Sequence, residues 1–285
     1  MLRLLANPFW SNPFSAHQLL VLLGEDSISV IQQSRGIQKH TKHLHTKVNT
    51  SLDDFKSDKL AWAPALKQLD NMLLSMPLKP NTLLNITLGS EFVRYLSLPP
   101  MQIQMNTDEK IRYVNAAYED IYGDIVENWD IKLNDSPDKQ SILAAAIDQQ
   151  LLVALNQLVT KHQLVINSLQ PYLMRAFNAL ASQITKNTGY LAIVEMQRIL
   201  LINLQAGKLQ KIRIFVMNNH WQSELNHLIL RESLLSDNHN NTVLLYAPAH
   251  KNLVLKTNDT TQIKRIHVLK KALHATDYAL LEVAL

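Results

Sequence analysis

The sequence predicts an α/β fold of two related lobes, each a mixed sheet flanked by helices. Three observations carry this. First, the stretch Gly189 to Val216 reads as three short strands in a row, Tyr190–Val194, Ile199–Gln205 and Lys208–Val216, followed by a helix over Trp221–Leu235. Runs of Leu, Ile and Val broken by Glu195-Met196-Gln197-Arg198 and by Ala206-Gly207 have hairpin form. Second, the same order occurs much earlier: Leu19–Leu23, a turn at Gly24-Glu25-Asp26, Ser27–Gln33, a turn at Arg35-Gly36, Ile37–Lys47, then a helix over Leu60–Met76. Identity between the two units is low, so the pattern repeats and the residues do not. Third, the middle of the chain alternates strand and helix, the order of a mixed sheet covered by helices.

Composition narrows the classes. At 285 residues with 47% hydrophobic and 18% charged side chains, the chain is globular and can form one large domain or two lobes. It has no cysteine, which excludes disulfides, thiolate metal sites and a cysteine nucleophile. A net charge of +4 is too mild to imply nucleic acid. No apolar run reaches the roughly 18 to 20 residues of a membrane span. The start, Met1 to Trp10, has too short an apolar run for a signal peptide, so a cytoplasmic location is expected. Only six glycines occur, Gly24, Gly36, Gly89, Gly123, Gly189 and Gly207, with no G-x-G among them. Phosphate-wrapping loops need bare N–H groups and positive φ, which glycine supplies.

Taken in order, Met1 to Ala16 holds Phe9, Trp10 and Phe14 between prolines and is expected to strap the body as an extended arm. Trp62, Leu66, Leu69, Leu73 and Met76 recur at helical spacing, and Pro77 and Pro80 end that helix. Leu83–Leu88 and Phe92–Leu98 are strands joined by Gly89-Ser90-Glu91. Thr107 is expected to cap a helix that ends at Gly123, with Lys110 leaving half a capping box. Tyr113, Tyr118 and Tyr122 lie along it, and core packing is preferred for them over a partner-facing patch. Trp129–Leu133 and Leu164–Ser168 are strands, Ser141–Ile147 is a buried segment, and Asp148–His162 and Pro171–Ile184 are helices. Strands at Thr242–Tyr246 and Asn252–Lys256, a helix near Thr260–Ala275 and a final segment Tyr278–Ala284 complete the chain.

Several clusters invite a chemical reading. His40, His43 and His45 share one strand, but no carboxylate lies near them in sequence, and a metal is not expected. Lys264, Arg265, His267, Lys270 and Lys271 form the densest basic cluster; a solvated helix face is preferred over contact with anionic lipid. Glu25-Asp26 and Asp53-Asp54 are adjacent pairs in turns, where such residues are ordinary. His220, His227 and His239 read as surface histidines. No G-x-S-x-G or H-E-x-x-H occurs.

From about Leu19 the chain resembles the actin-like (ribonuclease H-like) proteins of bacterial pilus and secretion machines: PilM, MshI and the cytoplasmic part of GspL. The passage Leu88-Gly89-Ser90-Glu91-Phe92-Val93-Arg94-Tyr95-Leu96-Ser97-Leu98-Pro99 is similar to that family's strand, short loop, V-R-Y and leucine-proline. Tyr118 to Gly123, Trp129, Ala145 to Asp148, Ile166 to Pro171 and Asn178 follow in the family's order. The resemblance implies an arm at 1–16, a first lobe at 17–186 with an insertion at about 90–140, and a second lobe at 187–285. Members that bind ATP carry D-x-G-x-x-x-x-K in the first turn; laid on this chain, those positions are Leu22, Gly24 and Ser29. The second lobe's equivalent turn, at Glu195, has no glycine. Without metal, lysine or bare N–H groups the desolvation of a triphosphate is not offset, so no cofactor and no ATPase activity are expected.

The resemblance further implies a scaffold that binds the cytoplasmic tail of a bitopic inner-membrane protein, PilN-like or GspL/GspM-like, and works at the membrane periphery. Phe92, Arg94, Tyr95, Tyr113 and Tyr118 are the expected contact residues. An assembly ATPase and a second copy of the chain are further candidate partners. The alternative is a degenerate member of the sugar kinase, Hsp70 and actin superfamily with residual ATP-linked activity.

Overall fold

A computed structural model describes residues 5–6, 17–34, 41–48, 60–99, 105–134, 141–195, 197–217, 221–235, 242–250, 262–268, 280 and 282–283. The elements of the first half are β1 (Leu5–Ala6), β2 (His17–Leu23), β3 (Ser27–Ser34), β4 (Thr41–Lys47), α1 (Ala63–Leu74), β5 (Leu83–Leu88), β6 (Arg94–Leu98), α2 (Thr107–Tyr122), β7 (Trp129–Asn134) and β8 (Ile142–Asp148). There follow α3 (Gln149–Lys161), β9 (Val165–Pro171), α4 (Tyr172–Ala179), α5 (Ala181–Ile184), β10 (Gly189–Val194), β11 (Arg198–Gln205), β12 (Lys208–Val216), α6 (Trp221–Leu234), β13 (Thr242–Tyr246) and β14 (Gln262–Arg265).

The repeat is visible in the strand order. One sheet runs β1-β9-β5-β2-β3-β4 and the other β12-β11-β10-β13-β14. In each, a three-stranded antiparallel meander is extended by two parallel strands beside its first strand. The central strands β2 and β10 are apolar on both faces because both faces are covered; Gly189 to Val194 are all buried. Alternation then sorts β10. Leu191 and Ile193 join the core that links both sheets, while Ala192 and Val194 pack against Trp221, Leu225 and Ile229 of α6. The N-terminal arm meets the body at β1, where Leu5 pairs with Leu169 and Ala6 with Ser168; the arm's aromatic residues lie outside the described residues.

Between β5 and α3 the chain inserts a small layer, β6-β8-β7 backed by α2. Its core is Val114, Tyr118, Val126, Ala144 and Ala146. Tyr118 and Tyr122 meet the Trp129 ring edge-on at 6.0 Å and 5.0 Å. On β8 the alternate residues Leu143, Ala145 and Ile147 face the main core, so one strand serves two cores. Asp70 on α1 binds Lys161 at 2.6 Å and His162 at 2.7 Å, clamping α1 to the end of α3; those two hydrogen bonds, Lys161 first, hold its carboxyl below the usual range.

Several expectations change. The cap of α2 is Asn106, whose side chain accepts from the Glu109 N–H while the Glu109 carboxylate accepts from the Asn106 N–H, a complete capping box one residue earlier than Thr107 implied. Phe92 lies in a 3-10 turn, so β6 starts at Arg94. Pro171 ends β9, and the helix after it breaks at Leu180. Gln262–Arg265 is a strand and not a helix: the free edge of β13 pairs with it in parallel, from Thr242 with Gln262 to Leu245 with Arg265. The expected strand 252–256, residues 269–275 of the expected helix and the start of β4 at 37–40 lie outside the described residues.

Asn106→Ala is expected to cost about 1 kcal/mol in urea unfolding, whereas Thr107→Ala stays within about 0.5 kcal/mol of wild type. The reverse order would restore Thr107 as the cap.

Candidate functional site

The site is assembled by the parallel pairing of β2 with β5. Leu23 and Leu88 end side by side, and Gly89 N–H donates to the Leu23 carbonyl at 2.9 Å. The loop that follows, Gly89-Ser90-Glu91, therefore lies against the β2–β3 turn. There the Glu25 backbone N–H donates to Glu91 Oε1 at 2.6 Å. Gly89 permits this fold-back by size and not by dihedral freedom: its φ is −58°, and a Cβ on it would stand 2.4 Å from the Glu91 carboxylate. Carboxyl ends of strands where the order reverses are where sites form in open α/β sheets.

The other lobe's equivalent turn, between β10 and β11, supplies Glu195. Its carboxylate enters the same loop, Oε2 accepting from Ser90 N–H at 3.0 Å and Oε1 accepting from the Ser90 hydroxyl. Arg198, from the start of β11, brings its guanidinium to 3.7 Å from Glu25 and 3.9 Å from Glu91. Beneath them lies a buried polar layer. Tyr172 is fully buried, and Tyr246 donates to Glu282 at 2.7 Å. Burial, and then the Glu195 charge, raises the Tyr95 and Tyr172 phenols.

The cleft between the two turns is lined by Glu25, Asp26, Glu91, Glu195, Arg198 and Tyr172, among others. Its cavity volume is about 50 Å³. On that scale one water needs roughly 10–15 Å³, so the cleft holds a few waters or one small polar group. Burial, followed by the charge of Glu91, pushes the Glu195 carboxyl up to about 8 against the two Ser90 hydrogen bonds. Burial also raises Glu91. At neutral pH Glu195 is mainly protonated.

A triphosphate with its metal does not fit this donor set. The Glu25 N–H and Ser90 N–H, the backbone donors that would face an anion, are already taken by internal carboxylates. Leu22, at the position of the metal-side aspartate, is buried in the core. Ser29, at the lysine position, is buried and bonds His45 Nδ1 at 2.9 Å. Among the described residues no group of three or more His, Asp or Glu side chains is placed to hold a metal. His43 and His45 pair with Ile31 and Ser29 on β3, and His40 lies outside the described residues.

The expected contact residues separate. Phe92 and Tyr118 are core side chains, and the Tyr118 hydroxyl donates to the Arg94 carbonyl at 2.8 Å. The Tyr95 hydroxyl is buried beneath the cleft. Phe92 is buried in the main core and Tyr118 in the core of the insertion, while Tyr95 is half-buried. Arg94 remains exposed, with its guanidinium on the Glu91 carbonyl at 2.8 Å, and Tyr113 is half-buried on α2. Arg265 is spent on the Ala247 and His250 carbonyls, which removes it from the expected basic face. Sequence reading passed over Ser90, Glu91, Arg198 and Tyr172. The usable signal was topological: the two repeated first turns and the loop after the fourth strand must converge.

No protein-family model matches the chain, and no curated protein matches it. Solved structures do. The cytoplasmic domain of EpsL, an inner-membrane component of the type II secretion system of Vibrio cholerae, superposes with a TM-score of 0.55 at 11% identity, over 94% of each chain. A Bacteroides thetaiotaomicron protein with an actin-like ATPase fold and unknown function gives 0.55 at 14% identity, over 94% of this chain and 96% of that one. The PilM-PilN type IV pilus biogenesis complex gives 0.50 at 15% identity, over 77% of this chain and 66% of that one. The chain has the actin-like fold. Among the described residues no helix is long and apolar enough to cross a membrane.

Glu195 keeps its proton in the folded state and loses it near pH 4.5 when unfolded. Its contribution to stability is full below about pH 4.5 and is lost as pH rises to about 8. Glu195→Gln, an isostere of the protonated acid, is expected to flatten that decline, leaving the variant several degrees more stable than wild type at pH 8 relative to pH 5. Parallel curves in thermal melts would contradict it.

Proposed function

We propose that this chain is a non-catalytic actin-like scaffold of a bacterial inner-membrane assembly platform, of the type IV pilus or type II secretion kind. On this reading it is cytoplasmic, lies at the membrane periphery and holds the cytoplasmic tail of a bitopic membrane protein. Residues 17–186 and 187–285 act as its two lobes, with 1–16 as an arm.

The observation that carries the reading is the use of Glu91 and Glu195 as internal ligands for the donors at the head of the cleft. An actin-like protein that cycles on nucleotide must offer those donors to phosphate. Here each is taken by a carboxylate of the chain itself, and two more carboxylates, Glu25 and Asp26, line the mouth. The likeness to the EpsL cytoplasmic domain and to PilM-PilN supports the assembly role. The insertion carries the exposed Arg94 and the half-buried Tyr113, and we assign the tail to the surface around them.

Two measurements test this. Millimolar MgATP or MgADP is expected to move the melting temperature by less than about 1 °C, since a ligand stabilises by RT ln(1 + [L]/Kd); saturable stabilisation would favour a nucleotide-linked protein. A peptide copying the cytoplasmic tail of the bitopic protein encoded beside this gene is expected to bind, about tenfold more weakly in Arg94→Ala. No tail binding, together with intact pili and secretion after deletion, rejects the scaffold.

A further inference from the structure

We propose that the outer face of α6, with the cations of β12 beside it, docks this chain directly on an anionic membrane surface. Alternation along β12 sends Ile212 and Ile214 into the main core and Lys211, Arg213 and Phe215 to the side that carries α6. Lys211, Arg213 and Arg231 of α6 all reach one carboxylate, Glu232, at 3.5 Å, 3.0 Å and 3.8 Å. Their heads therefore share one small patch. Each of the three side chains is about half exposed, whereas Glu232 is buried. Three cations against one carboxylate leave two positive charges unmatched within the cluster. The Arg231 guanidinium also lies over the Phe215 ring, 5.3 Å from its centre, which keeps it beside the two cations of β12.

A second observation selects the occupant. α6 packs Trp221, Leu225 and Ile229 inward, and a surface helix ordinarily turns polar residues outward. Here Leu230 and Leu234, one turn apart on the outer side, are 49% and 80% exposed, and Leu235 just past the helix is 65% exposed. Arg231 follows Leu230 directly, so the leucines adjoin the cation cluster. Exposed leucines bordered by Lys and Arg suit the headgroup layer of a bilayer: the apolar side chains enter the acyl boundary while the cationic heads stay at the lipid phosphates. A partner helix is held in a groove. A side chain as exposed as Leu234 stands proud of the surface, which fits a lipid layer that yields around it. An acidic surface without apolar residues would meet the cations and leave the leucines in water.

The scaffold reading brings the chain to the membrane through a bound tail. This face touches the lipid itself, and the two ideas fail separately. The chain has no cysteine, so Leu234→Cys carrying an environment-sensitive dye reports on that one position. With the full chain and vesicles of phosphatidylcholine containing about a third phosphatidylglycerol, the dye is expected to shift to the blue. Flotation is expected to show binding at least about tenfold tighter than to phosphatidylcholine alone. The same dye on Val153→Cys, exposed on α3, is expected to stay unchanged. Salt at about 0.5 M is expected to release the chain. Leu230→Ser/Leu234→Ser weakens binding severalfold at an unchanged melting temperature, and Arg231→Gln weakens it about fivefold. Equal binding to the two kinds of vesicle, a blue shift at both labelled positions, or wild-type binding by the leucine variant overturns the proposal. So does self-association of the wild type that the leucine variant loses while vesicles stay unbound, which gives the face to a second copy. Vesicle binding without tail-peptide binding upholds this face and counts against the scaffold; tail binding without vesicle binding upholds the scaffold and overturns this face.

Discussion

A carboxylate taken out of water must be met by donors or give up its charge. Glu195 does both. It crosses from the second sheet to Ser90 on the first, where it meets a backbone N–H and a hydroxyl, and burial keeps its proton on at neutral pH. Glu91 leaves the same loop and meets the Glu25 N–H on the neighbouring turn. Three chain segments far apart in sequence are joined at one point, and the shape of the cleft follows from that joint.

The joint depends on the duplication. Each large sheet places the turn after its first strand at the carboxyl end of the sheet, and the two turns face each other across the loop after β5. In an actin-like fold this geometry suits a phosphate chain, because backbone N–H groups converge on an anion. Here acidic side chains occupy the donor groups, Arg198 balances part of their charge, and a layer of buried tyrosines seals the floor. The insertion of β6, α2, β7 and β8 has its own small core, and its strand β8 also packs on the main core.

Strand and helix positions were legible because they follow from local pattern. Leu83–Leu88, Thr107–Tyr122 and Thr242–Tyr246 match the expected segments, and β10 to β12 do so within a residue. Burial and hydrogen-bond period impose 2.0 or 3.6 residue spacing whatever the partner is. Where local pattern failed, a tertiary partner had decided. Gln262–Arg265 reads as part of a basic helix, yet it adds to the edge of β13, because an unpaired strand edge is satisfied by whichever segment reaches it. Tyr118 was placed both in a core and at a partner surface, and its hydroxyl on the Arg94 carbonyl assigns it to the core.

By itself the sequence determined the two-lobed α/β frame and the scarcity of glycine in turns that would hold a phosphate. It did so because both are properties of short windows. Only the tertiary structure decided what stands in the cleft. Glu91 and Glu25 are 66 residues apart, and Ser90 and Glu195 are 105 apart. Contacts at such separations leave no periodic trace in one sequence. They arise when parallel pairing brings strand ends together, and desolvation then fixes which side chains share protons and charge.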